Sequence, residues 1–457
     1  MPKARERLRS TDGRDIPRAM VDGLPLEARV ILLSAGGDAA SPLLRKLLAQ
    51  NIDWPLLCAL ADREQASPIL WAQVRRLGCG GGPESDPLKR LAMVSEFSLL
   101  RLQRRLYETC DALAAGGIDA VLLKGAAVAH TAYPRFVERP MRDIDLLVEP
   151  EQADAAKQAL QAAGWVRRSN SFADDAYDGH QHLPPYADAK GSDATVELHT
   201  DLFFEGHPFR FSPKAVRARA RRLCVDQHVL LVPDPLHQLF HACLHFAYGH
   251  LMSVSAWRTF RDVAALAGSG SIDWKEFVVL ARESGGATSC YWTFRLAHAA
   301  AGVTVPSDVL DGLRPPLPDT ALRILERHFS RGLMPTCVSC PSVRLRNLMW
   351  RAGVFPGGWN RGSVRPWGRL RRFRGAAEPG TRGLLQRLPR HIRHAAAAPG
   401  YLWSVVCAPP SLDVPGSGRK STPSGGEAGQ RDSGTAGKRD SVRRLSPRAT
   451  RGGRNSI

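Results

Sequence analysis

Two aspartates, Asp143 and Asp145, stand two residues apart in the string Asp-Ile-Asp-Leu-Leu-Val over 143–148. In a strand, residues i and i+2 point to the same face. Both carboxylates therefore project side by side from a segment otherwise built of apolar residues. Like charges so placed oppose each other's ionisation and need a counter-charge. A divalent cation supplies one, and Mg²⁺ is typically held by one or two carboxylates with phosphates and water completing its shell. A solvated strand end satisfies the pattern equally well. Further along, Thr195, Glu197 and His199 alternate with Val196 and Leu198 and so share one face. Glu197 reads as a third ligand, as a base for an attacking hydroxyl, or as part of an exposed strand face. His199 is open between a role and none. Lys124-Gly125 closes an apolar run just before a helical stretch. Glycine permits close backbone approach, a helix N-terminus attracts anions, and Lys124 adds a point charge for a phosphate. A solvated lysine is the alternative. Arg139 and Arg142 precede the acid pair, suited to charge on a transferring phosphoryl group or to pairing with Asp143 or Asp145.

The remaining polar clusters carry weaker signals. His237, His241 and His245 recur at i, i+4 and i+8, a spacing that chelates zinc in other contexts. No glutamate stands beside His241 and no cysteine cluster follows, so packing of this face against the α/β unit is the preferred reading. His180 and His182 precede Pro184-Pro185 in a polar loop, which reads as a surface loop in preference to a cleft lining. Cys337 and Cys340 form a lone pair without a second pair at metal spacing, read as structural. Arg258 and Asp262, at i and i+4, are expected to pair along a helix.

Around these residues the chain divides by pattern. Residues 1–25 read as a polar arm and 26–115 as a helical region, with a Gly-rich break at Gly78 to Gly82. Residues 116–215 form the α/β core: strands are expected over 118–123, 143–148 and 194–199, helices over 126–133 and 151–163. Residues 216–330 return to helical periodicity, with Pro233-Asp234-Pro235 opening one helix and Asp273 capping another. Residues 331–408 are basic and rich in Trp, Pro and Gly. Residues 409–457 have almost no apolar content and read as a disordered basic tail. The expected class is α+β: a small mixed sheet with helices, flanked by helical regions.

At 457 residues the chain exceeds one ordinary core, and an apolar fraction of 44% can build a sizeable one. No apolar run is long enough to span a membrane, the first residues do not read as a secretory signal, and nine scattered cysteines do not read as a disulfide framework. A cytoplasmic location is the expectation. The net charge of +19 is concentrated after residue 330, in stretches such as Arg369-Leu370-Arg371-Arg372, which read as solvated segments before nucleic-acid contacts.

The strings Leu122-Leu123-Lys124-Gly125, Tyr133, Arg139-Pro140-Met141-Arg142-Asp143-Ile144-Asp145-Leu146-Leu147-Val148 and Val196-Glu197-Leu198-His199 resemble the uncharacterised nucleotidyltransferase family, within the DNA polymerase beta-like nucleotidyltransferase superfamily. The motif-bearing likeness spans about residues 118–205, with a weaker likeness to about 313. It implies a mixed sheet backed by helices, a glycine place at Gly125, a metal-ligand pair at Asp143 and Asp145, a third acid at Glu197 and a functional arginine at Arg139. Ala126 stands where the superfamily has a serine that helps hold a phosphate, with Lys124 the nearest substitute. The implied reaction uses Mg²⁺ or Mn²⁺ and a nucleoside triphosphate, ATP by preference. It moves a nucleoside monophosphate to an acceptor that is a small molecule, a protein or RNA, and releases pyrophosphate. Two readings of other classes stand beside it: a non-catalytic nucleotide- or partner-binding module on the same fold, and a nucleic-acid-binding protein acting through the basic C-terminal third.

Overall fold

The computed structural model describes residues 24–168, 177–253, 255–334, 342–357 and 396–407. Chain contacts divide the protein into Met1–Leu412 and Asp413–Ile457, and every described residue lies in the first unit. The polar arm up to residue 23, Cys337 and Cys340, the arginine-rich stretch near 370 and the tail from 409 fall outside the described residues.

The chain opens with four short helices, α1 (Leu26–Ser34), α2 (Ser41–Leu48), α3 (Trp54–Glu64) and α4 (Ser67–Arg76), then a 30-residue helix, α5 (Asp86–Ala115). Asp53 caps α3 by accepting from Leu56 N at 2.9 Å, the ordinary way of satisfying a free amide at a helix start. Gly116-Gly117 ends α5, with Gly117 left-handed at φ 72°. There follow β1 (Val121–Leu122), α6 (Lys124–Thr131), β2 (Asp143–Leu147), α7 (Ala153–Ala162), β3 (Trp165–Arg167), β4 (Tyr186–Asp188) and β5 (Thr195–His199). The expected first strand is thus confined to Val121–Leu122, while β2 and β5 fall where the alternation puts them.

Residues after 216, read as wholly helical, begin differently. Beyond α8 (Pro213–Ala218) comes a hairpin of β6 (Arg221–Val225) and β7 (His228–Val232), turned at Asp226 with φ 52°. The apolar run Val229 to Val232 is too short to distinguish strand from helix by period, and sheet pairing decides it. Helices then resume as α9 (Pro235–Leu244), α10 (Ala256–Gly268), α11 (Trp274–Glu283), α12 (Ala287–Ala301), α13 (Ser307–Leu313), α14 (Asp319–Ser330) and α15 (Val343–Val354). A π-helical turn, His245–Gly249, extends α9. Asp234 caps α9 through Leu236 N, and Asp273 caps α11 through Lys275 N and Glu276 N.

The strands form one seven-stranded mixed sheet in the order β3-β4-β5-β2-β1-β7-β6. β2 runs parallel to β5 and antiparallel to β1, and β1 runs parallel to β7. The sheet lies between two apolar clusters. Ile144 and Leu146 of β2 join Leu102, Leu106 and Leu113 of α5 on one side. Leu147 joins Val121, Leu123 and the cluster shared by α1–α4 and α9–α15 on the other. That second cluster ties both helical regions together; Trp257 Nε1, for example, donates to Ser34 Oγ at 2.8 Å. Since β2 alternates, Asp143, Asp145 and Leu147 share the face turned toward these helices. No helix among the described residues is long and apolar enough to cross a membrane.

Candidate functional site

In the parallel pairing of β2 with β5, Asp145 stands opposite Glu197 and Leu147 opposite His199. Parallel register keeps partners on the same face, so the carboxylates of Asp143, Asp145 and Glu197 converge on one side of the sheet centre. Asp145 is 5% exposed. Its Oδ1 accepts from Lys124 Nζ at 2.7 Å and meets His199 Nε2 at 2.9 Å. Glu197 Oε2 lies 3.6 Å from the same His199 nitrogen and 3.7 Å from His182 Nε2. One ligand atom from each of Asp145, Glu197 and His199 fits within a sphere of mutual distances under 4.8 Å, close enough to hold one metal ion. Asp143 lies outside that group, more exposed than Asp145, in the lining of the same cavity.

The protonation states follow from this crowding. Burial alone would raise the Asp145 carboxyl, but the Lys124 charge and the His199 contact carry it well below the usual range. Lys124 is buried and would lose its proton, but Asp145 and then Glu197 keep it charged. Glu197 is likewise held down against burial by His199. Asp143 has no such partner: burial, then Glu197 and Asp145, push it up to about 6. Three carboxylates thus share one lysine at close range, an oxygen-rich donor set suited to a hard divalent cation.

Lys124 reaches the site because its backbone is left-handed, at φ 47°, as the chain turns from β1 into α6. A non-glycine residue in this conformation is strained, and here the strain aims an ammonium at Asp145. Gly125 follows, and its environment is protein. A Cβ at 125 would lie 2.7 Å from Arg139 Nη1. Arg139 itself is buried and forks onto Asp262, Nε to Oδ1 at 2.9 Å and Nη2 to Oδ2 at 2.8 Å, with Nη1 donating to Pro140 O at 2.8 Å. Tyr133 Oη also donates to Asp262 Oδ1 at 2.8 Å. This buried network locks the segment before β2 to α10. It overturns the expected Arg258–Asp262 pair along the helix: Asp262 takes Arg139, while Arg258 turns to Gln65 and Ser255.

The cavity that the acids border has a volume of about 410 Å³. Its floor is Lys124, Gly125, Asp143, Asp145 and Glu197, and its opposite wall is His237, His241, His245 and Gln238 of α9 and its extension. The spacing of the three histidines gives them a common face, as expected, but that face lines the cavity, and they do not gather as a metal group among the described residues. Burial, then the nearby Lys124 charge, pushes His241 down to about 3, so this wall is uncharged. His237 Nδ1 and His241 Nε2 are buried and have no hydrogen-bond partner among the described residues. His180 and His182, read as a surface loop, instead turn toward the acids in edge-to-face contacts: their ring centroids are 4.3 Å apart, and His182 lies 5.3 Å from His199. A bridge between His182 and His199 explains this, a long-range pairing that a polar loop sequence does not announce.

The uncharacterised nucleotidyltransferase family matches residues 50–302, from just before α3 through α12, which includes the whole sheet and the wall of α9 and α10. No curated protein matches the chain.

Proposed function

The chain belongs to this uncharacterised nucleotidyltransferase family, and on that premise we propose that it transfers a nucleoside monophosphate from a nucleoside triphosphate, ATP by preference, to an acceptor hydroxyl. The observation that carries the reading is the register of Asp145 against Glu197 with Asp143 on the same face, at the floor of a cavity of nucleotide size. Asp143, Asp145 and Glu197 are the residues that would hold Mg²⁺ or Mn²⁺. When bound, the cation lowers the pKa of the attacking hydroxyl and neutralises charge on the leaving oxygen. In the transfer, the acceptor oxygen bonds to the α-phosphorus, the bridging bond to the β-phosphate breaks, and pyrophosphate leaves. The acceptor proton would pass to a carboxylate, with Glu197 acting as ligand or base. Lys124 keeps Asp145 ionised. Gly125 and Arg139, assigned to the nucleotide by resemblance, would act through the buried fork that fixes the floor of the cavity. The neutral imidazole wall offers hydrogen bonds to sugar or acceptor hydroxyls.

A second reading, a nucleotide-binding module without turnover, is favoured by two features: the Lys124 ammonium already occupies Asp145, and Ala126 replaces the phosphate-holding serine. Thermal unfolding with Mg²⁺ or Mn²⁺ and each nucleoside triphosphate tests both, in the wild type and in Asp143→Asn/Asp145→Asn. Ligand at a hundred times its Kd stabilises by about 2.7 kcal/mol. A metal-dependent shift absent from the double variant supports the site, and pyrophosphate release with any acceptor excludes the binding-only reading. No shift with any nucleotide in the folded wild type defeats both.

A further inference from the structure

We propose that the phosphate chain of the substrate is held by Arg258, with Arg142 in the same cavity lining, rather than by Lys124 and Gly125. The inference rests on the nucleotidyl-transfer reading only for the identity of the ligand; the chemistry it names is a chain of phosphates.

The cations of the cavity are unequally engaged. Lys124 is spent on Asp145 at 2.7 Å. Arg139 is spent on Asp262 through two parallel bonds, the fork geometry that most fully satisfies a guanidinium. Gly125 has the Arg139 guanidinium against its α-carbon, which leaves no open approach for a phosphate on that side. Two guanidiniums remain in the lining, Arg142 and Arg258. Neither forms an ion pair among the described residues. Arg258 donates only to neutral oxygens, Gln65 Oε1 at 2.9 Å and Ser255 Oγ at 2.7 Å. These bonds orient the guanidinium without neutralising it. Glu64, Asp262 and Asp143 act on its charge without forming an ion pair with it among the described residues, so a half-buried guanidinium is left with no anion in contact, and a ligand phosphate would supply one.

Position agrees with charge. Arg258 sits in the first turn of α10, a 13-residue helix whose opening residues Ser255 and Thr259 line the same cavity. The free amides and dipole of a helix start add to its attraction for anions. Arg258 and Asp143 are near enough to act on each other's charge, so an anion at Arg258 lies beside the acids. In the same lining, the buried His241 Nε2 has no hydrogen-bond partner among the described residues, a second sign that a polar ligand completes this space. Phosphates on the Arg258 side would leave the nucleoside for the uncharged histidine wall.

The test is calorimetric titration of the full chain with inorganic tripolyphosphate, once in EDTA and once with Mg²⁺, and separately with ATP and Mg²⁺. Arg258→Gln should weaken tripolyphosphate binding at least tenfold, Arg258→Lys less, and Arg142→Gln by a few-fold, with binding falling as salt rises. Arg142 is exposed and forms no side-chain hydrogen bond or ion pair among the described residues, so its variant keeps the test open if Arg258→Gln does not fold. Folded Arg258 and Arg142 variants that bind tripolyphosphate as tightly as the wild type overturn the inference, as does a wild type that binds it under neither condition. ATP binding that depends on Asp143 and Asp145 but is unchanged in folded Arg258 variants leaves the proposed function standing and removes this site. Arginine-dependent tripolyphosphate binding without any nucleotide binding does the reverse.

Discussion

Replacing Gly125 with alanine separates two reasons for the glycine, close approach of a ligand and close approach of Arg139. The new Cβ would sit 2.7 Å from Arg139 Nη1, 3.1 Å from its Cζ and 3.3 Å from Met141 Sδ. The guanidinium cannot swing aside cheaply, because all three of its nitrogens are bonded, two to Asp262 and one to Pro140 O. Overpacking of this kind costs about 1–3 kcal/mol. The better helix propensity of alanine offsets at most about 1 kcal/mol of it. A net loss of about 1–2 kcal/mol is therefore expected, read in urea as a lower midpoint with an unchanged slope. The cause is checked in an Arg139→Met/Asp262→Leu background, where a thinner, unbonded side chain faces position 125. There the penalty should fall below about 0.5 kcal/mol, a coupling expected only of residues in contact. An unchanged urea midpoint in Gly125→Ala together with lost ATP binding would refute the packing argument and return the glycine to the phosphate.

Three further outcomes are expected. Asp143→Asn should raise the melting temperature at pH 7 in EDTA, because burial, Glu197 and Asp145 raise the carboxyl to about 6 and its ionised form is therefore destabilising. The contribution of Asp143 is fullest below its unfolded pKa near 3.8 and is lost as pH rises through about 6, so the gain should vanish in a scan at pH 4; a gain that persists there sinks the argument. Lys124→Met should bind Mn²⁺ more tightly than the wild type, by roughly tenfold, since the ammonium and the ion compete for Asp145 Oδ1 and removing such a contact is worth about 1.4 kcal/mol. Electron paramagnetic resonance of free Mn²⁺ reads this, and weaker binding would mean that Lys124 assists the ion. Glu108 on α5 is raised by partial burial, but Lys190, Arg105 and Arg104 outweigh this and hold it down at about 2. Its stabilising contribution is present above the unfolded value of 4.5 and is lost as pH falls toward 2, so Glu108→Gln should flatten the acid limb of the stability profile. An acid limb identical to the wild type would count against the cluster.

The acids of this site were legible because their placement is a local matter. Asp143, Asp145 and Glu197 sit in strands whose two-residue period is written in the residues themselves, and a mixed sheet with helices follows from the same alternation. The hairpin β6–β7 was not legible, because Arg221 and Arg222 face solvent and the strand shows no clean alternation. His182 was misread for a related reason: its place is set by a bridge to His199 across a loop. The cations are where sequence reasoning fails most instructively. Spacing proposed Arg258 for Asp262 because they are four apart on one helix, yet Asp262 is taken by Arg139, 123 residues away, and Arg258 by Gln65, 193 residues away. An exposed i,i+4 pair is worth only about 0.3–0.5 kcal/mol. A buried two-bond fork costs several times that to break, so the distant partner wins wherever the fold brings it within reach. The chemistry a site can host is thus set by acids fixed within single strands. Which cation pairs with the acids, which braces the scaffold and which is left without an ion pair among the described residues is decided by contacts between elements far apart in the chain.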